Sequence, residues 1–353
     1  MPLADVTPRE PLAWFADSTG DGSTGLLATG LVELGDELSA LDDGAFWALV
    51  VDAEGGITCA RFADVVPAPL PAAHAPWQGL AGEWSTSLDE GAYVAACRDV
   101  RRRIAAGEVY QVNVCRVLEH SLDDGADVLA LAARTTRGNP APYASLVRLP
   151  GTEVVCASPE LLLERHGSTV TTGPIKGTAP TVDQLLPKDV HENVMIVDLA
   201  RNDLSVVCAP GSVRVPDLLR TQEHPGLVHL VSRVSGELRA RARWADVLAA
   251  VLPAASVTGA PKSTALAAIA DLEPVARGPY CGAIGWVHGD RCRLAVGIRT
   301  FWTAQDAVGR RVLRFGTGAG ITWGSDPLGE WRETELKASR LIGLANGVPA
   351  LAL

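Results

Sequence analysis

The chain has 353 residues, 47% hydrophobic and 20% charged, a balance that suits a large buried core and excludes a disordered chain. Acidic residues number 41 against 31 basic ones, for a net charge of −10. Without a basic block the chain suits neither nucleic acid nor an anionic membrane, and an anionic substrate would need a local cluster of cations.

Seven cysteines (59, 97, 115, 156, 208, 281 and 292) are scattered and form no CxxC pair, the usage expected of reduced core thiols in a cytoplasmic protein. Met1 to Asp5 contains no basic segment leading into an apolar one, so no signal peptide is expected. The longest uncharged run, Val247 to Pro261, is too short to span a bilayer.

In chain order, Phe46–Val51 and Ile57–Phe62 read as strands joined at Glu54-Gly55-Gly56, a hairpin. Pro67 to Pro71 reads as an extended link, dividing an N-terminal β-rich region (1–85) from the main body (86–353). Tyr93, Cys97, Val100 and Ile104 recur at helical spacing, with Gly107 as the stop. Val109–Val117 alternates like a strand, and Ala126–Thr136 reads as a helix ended by Gly138-Asn139-Pro140.

Two motifs then stand a hairpin apart. Ser158-Pro159-Glu160 lies between strand-like runs, and Gly173-Pro174-Ile175-Lys176-Gly177-Thr178 follows another. Glu160 and Lys176 can face one cavity as an acid and a nucleophile, or form a surface salt bridge beside two turns. Spacing alone favours the salt bridge.

Pro187–Leu204 reads as a helix with Asp189 and Glu192 on one face, and Asp198, Arg201 and Asn202 as a structural polar network. Val213–Leu219 and Leu227–Ser235 read as strands; His229 on the second is a core histidine ahead of a cavity residue. Trp244–Leu252 reads as a helix. The loop Ser256 to Thr264 leads into an Ala-rich helix, but Pro261 before Lys262 and the missing first glycine exclude a phosphate-binding P-loop. Strands are expected at Tyr280–Val287, Cys292–Trp302 and Val312–Thr317. Arg299, inside the middle one, needs an anion, either a substrate carboxylate or a buried acid. Gly316 to Gly320 reads as a nest of exposed amides. The last helix, Leu328 to about Leu344, puts Glu330, Glu333 and Lys337 on one face, which is either a solvated ion-paired surface or a metal and carboxylate site.

Taken together, the motifs resemble the chorismate-utilising enzymes, the family of anthranilate synthase component I, aminodeoxychorismate synthase component I and the isochorismate synthases. The stretches Gly107 to Asn113, Ala157 to Glu160, Pro174 to Thr178, Glu192 to Leu204 and Val257 to Lys262 carry the likeness. Arg277 to Gly285, Ile298 to Thr300, and Gly318 to Thr334 complete it, collinear over roughly residues 90 to 345. The resemblance implies an α+β fold, one large domain of two face-packed antiparallel sheets with outer helices. It implies Mg²⁺ on Glu192 and Glu333, with Asp189 and Glu330 supporting. His229, Thr258, Arg299, Lys337 and the amides near Gly318 and Gly320 would bind the substrate.

Two positions choose the reaction within that resemblance. Isochorismate and salicylate synthases carry a lysine where this chain has Gln111, so water is not the expected nucleophile. Anthranilate synthases resemble Pro-Ile-Ala-Gly-Thr at the motif that here holds Lys176, the position of the aminodeoxychorismate synthase nucleophile. The implied activity is amination of chorismate to 4-amino-4-deoxychorismate in para-aminobenzoate and folate biosynthesis, through a covalent Lys176 intermediate with Glu160 as the acid. Ammonia would come from a separate glutamine amidotransferase subunit, since Tyr280-Cys281-Gly282 does not fit a glutaminase nucleophile motif. The alternatives are anthranilate synthesis and a non-catalytic chorismate-binding subunit. The segment between Lys176 and Glu192 is shorter than in relatives, and Trp323-Gly324 replaces the commoner Ala-Asp.

Overall fold

Runs such as Phe46–Val51 are apolar at every position because both faces of the strand are covered, and all six residues are buried. The computed structural model describes residues 10–17, 20–179, 181–184, 187–224 and 227–349. Its helices are α1 (Glu90–Ala105), α2 (Val128–Gly138), α3 (Pro187–Val207), α4 (Trp244–Val251), α5 (Ala255–Thr258), α6 (Lys262–Leu272) and α7 (Pro327–Ala345). Asp89 caps α1, its carboxylate accepting from the Ala92 amide at 2.8 Å, and Asp326 caps α7 in the same way at Gly329.

The strands among the described residues join by antiparallel pairing into one network of 18. Along it, Arg214–His224 pairs with Leu227–Glu237, which pairs with both Thr169–Gly173 and Ile175–Ala179. Leu161–His166, Arg291–Val296, Ala283–His288, Phe46–Val51, Ile57–Pro67 and Gly25–Gly35 follow in turn. From Leu12–Ala16 the ribbon continues through Tyr143–Leu149, Thr152–Ser158, Thr300–Gln305, Arg311–Ile321 and Gln111–Ser121.

The two halves of this ribbon pack face to face. Trp47, Leu49, Leu163 and Leu294 from the first half share a buried cluster with Cys115, Val147, Cys156 and Trp302 from the second. The expected two face-packed sheets are therefore present, joined edge to edge through Gly25–Gly35 and Leu12–Ala16. Burial of each large apolar side chain contributes about 1.5–3 kcal/mol, so this interlayer cluster dominates the stability. A second cluster lies under α2 and α7, and a third under α1 and α6. Strands from the N-terminal region occupy the middle of the ribbon, where Phe46–Val51 pairs with Ala283–His288 and Leu12–Ala16 with Tyr143–Leu149.

Two expectations are corrected. The strand foreseen over Cys292–Trp302 is broken: Arg291–Val296 belongs to the first half and Thr300–Gln305 to the second. The chain crosses between halves at Gly297-Ile298-Arg299, where Arg299 takes φ 51°. Nor is Gly316 to Gly320 a nest; it is regular strand paired with Arg116, Cys115 and neighbours. Its glycines are there for close packing: a side chain at 316 would strike the Tyr280 ring, and one at 318 would lie 2.7 Å from Cys115 Sγ.

Candidate active site

Two crossovers between the sheet halves run side by side. Pro159-Glu160 links Thr152–Ser158 to Leu161–His166, as Gly297–Arg299 links its own two strands. The Val296 amide donates to the Glu160 carbonyl at 3.1 Å and the Ala157 amide to the Arg299 carbonyl at 3.0 Å. These bonds hold Glu160 and Arg299 on adjacent irregular segments. Glu160 is 4% exposed and Arg299 half-buried. Arg299 has no ion pair among the described residues; burial lowers the pKa of its guanidinium. Of the two partners foreseen for it, no buried acid pairs with it among the described residues.

Lys176 lies on Ile175–Ala179, where the pairing with Leu227–Glu237 shifts register between Ile175 and Thr178. A bulge of this kind re-aims one side chain, and Gly177 accommodates it at φ 83°. Lys176 Nζ donates to the Ser256 carbonyl at 3.3 Å. His229, 2% exposed, stands opposite Thr178 in the same ladder.

The third wall is the ladder of Gln111–Ser121 with Arg311–Ile321. A Cβ at Gly320 would run into the Gln111 amide and stand 3.5 Å from Lys176 Nζ, so glycine there leaves room for both groups. Gln111 is 1% exposed, and its amide nitrogen and oxygen have no partner among the described residues. From α7, Lys337 Nζ donates to the Gly318 carbonyl at 3.0 Å and pairs with Glu333 at 2.7 Å. Because strand residues point amide and carbonyl to the same edge, the Gly318 amide faces that edge as well.

Glu192 is positioned through its neighbour on α3. The Asn193 amide donates to the Leu230 carbonyl at 2.9 Å and accepts from Ser232 Oγ at 2.6 Å, pinning the helix to the strand. Glu330, 8% exposed, raises the Cys97 thiol pKa in addition to the larger effect of burial, which places it towards α1. The side chain of Asp189 lies outside the described residues. Thr258 is buried with its hydroxyl donated to the Ala254 carbonyl at 2.6 Å, so it supports the turn of α5. Asp198 and Arg201 form the exposed pair foreseen for them.

Burial drives the electrostatics. It pushes the Glu160 carboxyl from an ordinary 4.5 to about 7, against stabilisation of the anion by Ser256, Lys176 and Lys337. Burial likewise lowers the pKa of Lys176, helped by Lys337 and opposed by Glu192, Glu160 and Glu333. The arrangement holds together a carboxyl whose pKa is raised and an amine whose pKa is lowered, with Glu192, Glu333 and Lys337 acting on the amine. Sequence reasoning missed Ser256, whose carbonyl meets Lys176 and whose hydroxyl lies beside Glu160. Its only signal was its place at the start of the loop leading to Lys262.

The family model described as chorismate binding enzyme matches residues 53–343. The chain belongs to this family. An anthranilate synthase component 1 from Aeropyrum pernix is 35% identical over 286 residues, 77% of this chain and 64% of that protein. An aminodeoxychorismate synthase component 1 from Klebsiella aerogenes is 34% identical over 276 residues, 74% of this chain and 60% of that protein. The chain thus matches a little under two-thirds of the length of these relatives. Among solved structures, anthranilate synthase component I from Streptococcus pneumoniae superposes with a TM-score of 0.76 at 20% identity, covering 97% and 94% of the two chains. The menaquinone-specific isochorismate synthase from Escherichia coli gives 0.78 at 20% identity, covering 96% and 90%. These structures share the chorismate binding fold. No helix among the described residues is long and apolar enough to cross a membrane.

Proposed function

We propose that this chorismate binding enzyme aminates chorismate with ammonia to 4-amino-4-deoxychorismate, a step towards para-aminobenzoate and folate. The observation that carries the reading is the bulged Lys176, its amine pKa lowered by burial, in the same site as a Glu160 whose pKa is raised. Relatives of both kinds are about equally identical, so overall identity does not choose between them; the lysine at 176 favours amination.

In this mechanism the neutral Lys176 amine bonds to C2 of the ring. Both double bonds of the ring diene shift, the C4–O bond breaks, and the Glu160 proton leaves with the hydroxyl as water. Ammonia then bonds to C4, and the C2–N bond breaks to return the amine to Lys176. Arg299 and Lys337 would hold the substrate's carboxylates, and His229 would line the ring pocket. Gln111, lacking a second lysine's basicity, disfavours activation of water.

Glu192 and Glu333 offer the oxygen donors that Mg²⁺ takes alongside water and a substrate oxygen, with Asp189 and Glu330 in support. When bound, the ion would neutralise charge on the substrate's ring carboxylate. Ammonia would be delivered by a separate glutamine amidotransferase subunit; Cys281 is 1% exposed and its thiol pKa is raised by burial, unsuited to glutamine hydrolysis.

Incubation with chorismate, Mg²⁺ and an ammonium salt should yield 4-amino-4-deoxychorismate, and mass spectrometry should trap a chorismate-derived adduct on Lys176. Anthranilate fluorescence appearing directly, without an added lyase, would overturn the assignment.

A further inference from the structure

A cavity of about 30 Å³ adjoins the site and shares Glu160 and Ser256 with it. That volume holds about two water molecules. Its walls are apolar except for those two residues, Thr172 and Asp203. Ser256 is 7% exposed; its hydroxyl lies beside Glu160, whose anion it stabilises, and a hydroxyl can accept a further bond from a water in the cavity. Asp203, near the end of α3, has a side chain 16% exposed and accepts from Lys262 Nζ at 3.1 Å. It therefore touches the cavity and solvent alike.

We propose that Asp203, the cavity waters and the Ser256 hydroxyl form the path by which a proton returns from solvent to Glu160 after each turnover. This rests on the amination reading. There, Glu160 gives its proton to the departing hydroxyl, while ammonia enters neutral and the product leaves with its new amine protonated. Glu160 is thus left a carboxylate until one proton is taken up. Asp203 releases a proton to the nearer water, each water and Ser256 accepts one proton and passes another on, and the last O–H bond forms on Glu160. Asp203 is then reprotonated from bulk water. Burial holds the Asp203 carboxyl above the usual carboxylate range, against the pull of Lys262. The charged groups facing Glu160 are Lys176 and Lys337. Asp203 is a positioning residue, acting through water.

The test is steady-state kinetics of the full chain in H₂O and D₂O. For Asp203→Asn the expected result is a kcat lowered roughly tenfold, an unchanged KM for chorismate, a larger solvent isotope effect and partial rescue by a small weak acid such as formic acid. Ala200→Leu, which fills the cavity and keeps the Asp203–Lys262 pair, should give the same split and covers the case where the first variant misfolds. Wild-type kcat and isotope effect in both folded variants would overturn the path, as would a lowered kcat with neither isotope change nor rescue. PH-jump infrared of the buried Glu160 carboxyl band reads the path independently of the reaction: its proton exchange should slow in Asp203→Asn. An enzyme that makes no 4-amino-4-deoxychorismate yet shows this slowing sinks the amination reading and leaves the path standing.

Discussion

Two buried acid–base pairs lie near the Gln111–Ser121 strand, and they differ in how their hydrogen bonds are met. Arg277 and Glu273 are 2.6 Å apart with side chains 6% and 7% exposed. Arg277 also donates to the carbonyls of Val257 at 2.9 Å and Asn113 at 2.8 Å, while Glu273 accepts from the Cys115 amide at 2.8 Å. Glu160 and Lys176 share a site without that closure, since Lys176 turns to the Ser256 carbonyl. A guanidinium cannot shed its proton, so a buried one must be fully paired. A lysine can, and a carboxyl can take one up, so desolvation moves both towards their neutral forms. The first pair is therefore a strut tying together the loop after α6, α5 and the strand, whereas the second is the couple to which the proposed function assigns the chemistry.

Substitutions can break this comparison, and the largest effect is expected at Lys176. Lys176→Ala should lower kcat for chorismate amination by about 10³-fold while the melting temperature stays level or rises, because no satisfied ion pair is lost. A fall in melting temperature with activity kept would make Lys176 a strut like Arg277. Arg277→Met should do the reverse: it strands a buried Glu273 and costs about 3–5 kcal/mol in denaturant titrations. Smaller again is Glu160→Gln, expected to lower kcat about 10²-fold. The same variant tests the raised carboxyl. Glu160 in the folded chain stays protonated to about pH 7, against an ordinary 4.5. Its contribution to stability is therefore full below pH 4.5 and lost as pH rises to 7, by up to roughly 3 kcal/mol. Glu160→Gln should flatten that part of the stability curve; an unchanged slope would mean the carboxyl is not desolvated.

Much of this was legible in the chain. The periodic runs became α1, α3 and α7 within a few residues of their expected ends, because amphipathic spacing and caps are local. The hairpin at Glu54–Gly56 formed for the same reason. The misreadings at Cys292–Trp302 and Gly316–Gly320 both concern glycines. Sequence reads glycine as strand-compatible or loop-like, but here it marks close approach of distant groups: the Pro279 carbonyl at Gly297 and the Tyr280 ring at Gly316.

By itself, then, the sequence determined which residues could do chemistry and the family in whose order they stand, since residue type and spacing are one-dimensional properties. Only the tertiary structure decided that Glu160 and Lys176 are not a surface salt bridge. The crossover that buries Glu160 beside Arg299, the bulge that turns Lys176 to Ser256, and the cavity that joins Glu160 to Asp203 arise from strands far apart in the chain. Desolvation depends on everything packed around a group, and so the shifted proton affinities of this couple exist only in the folded protein.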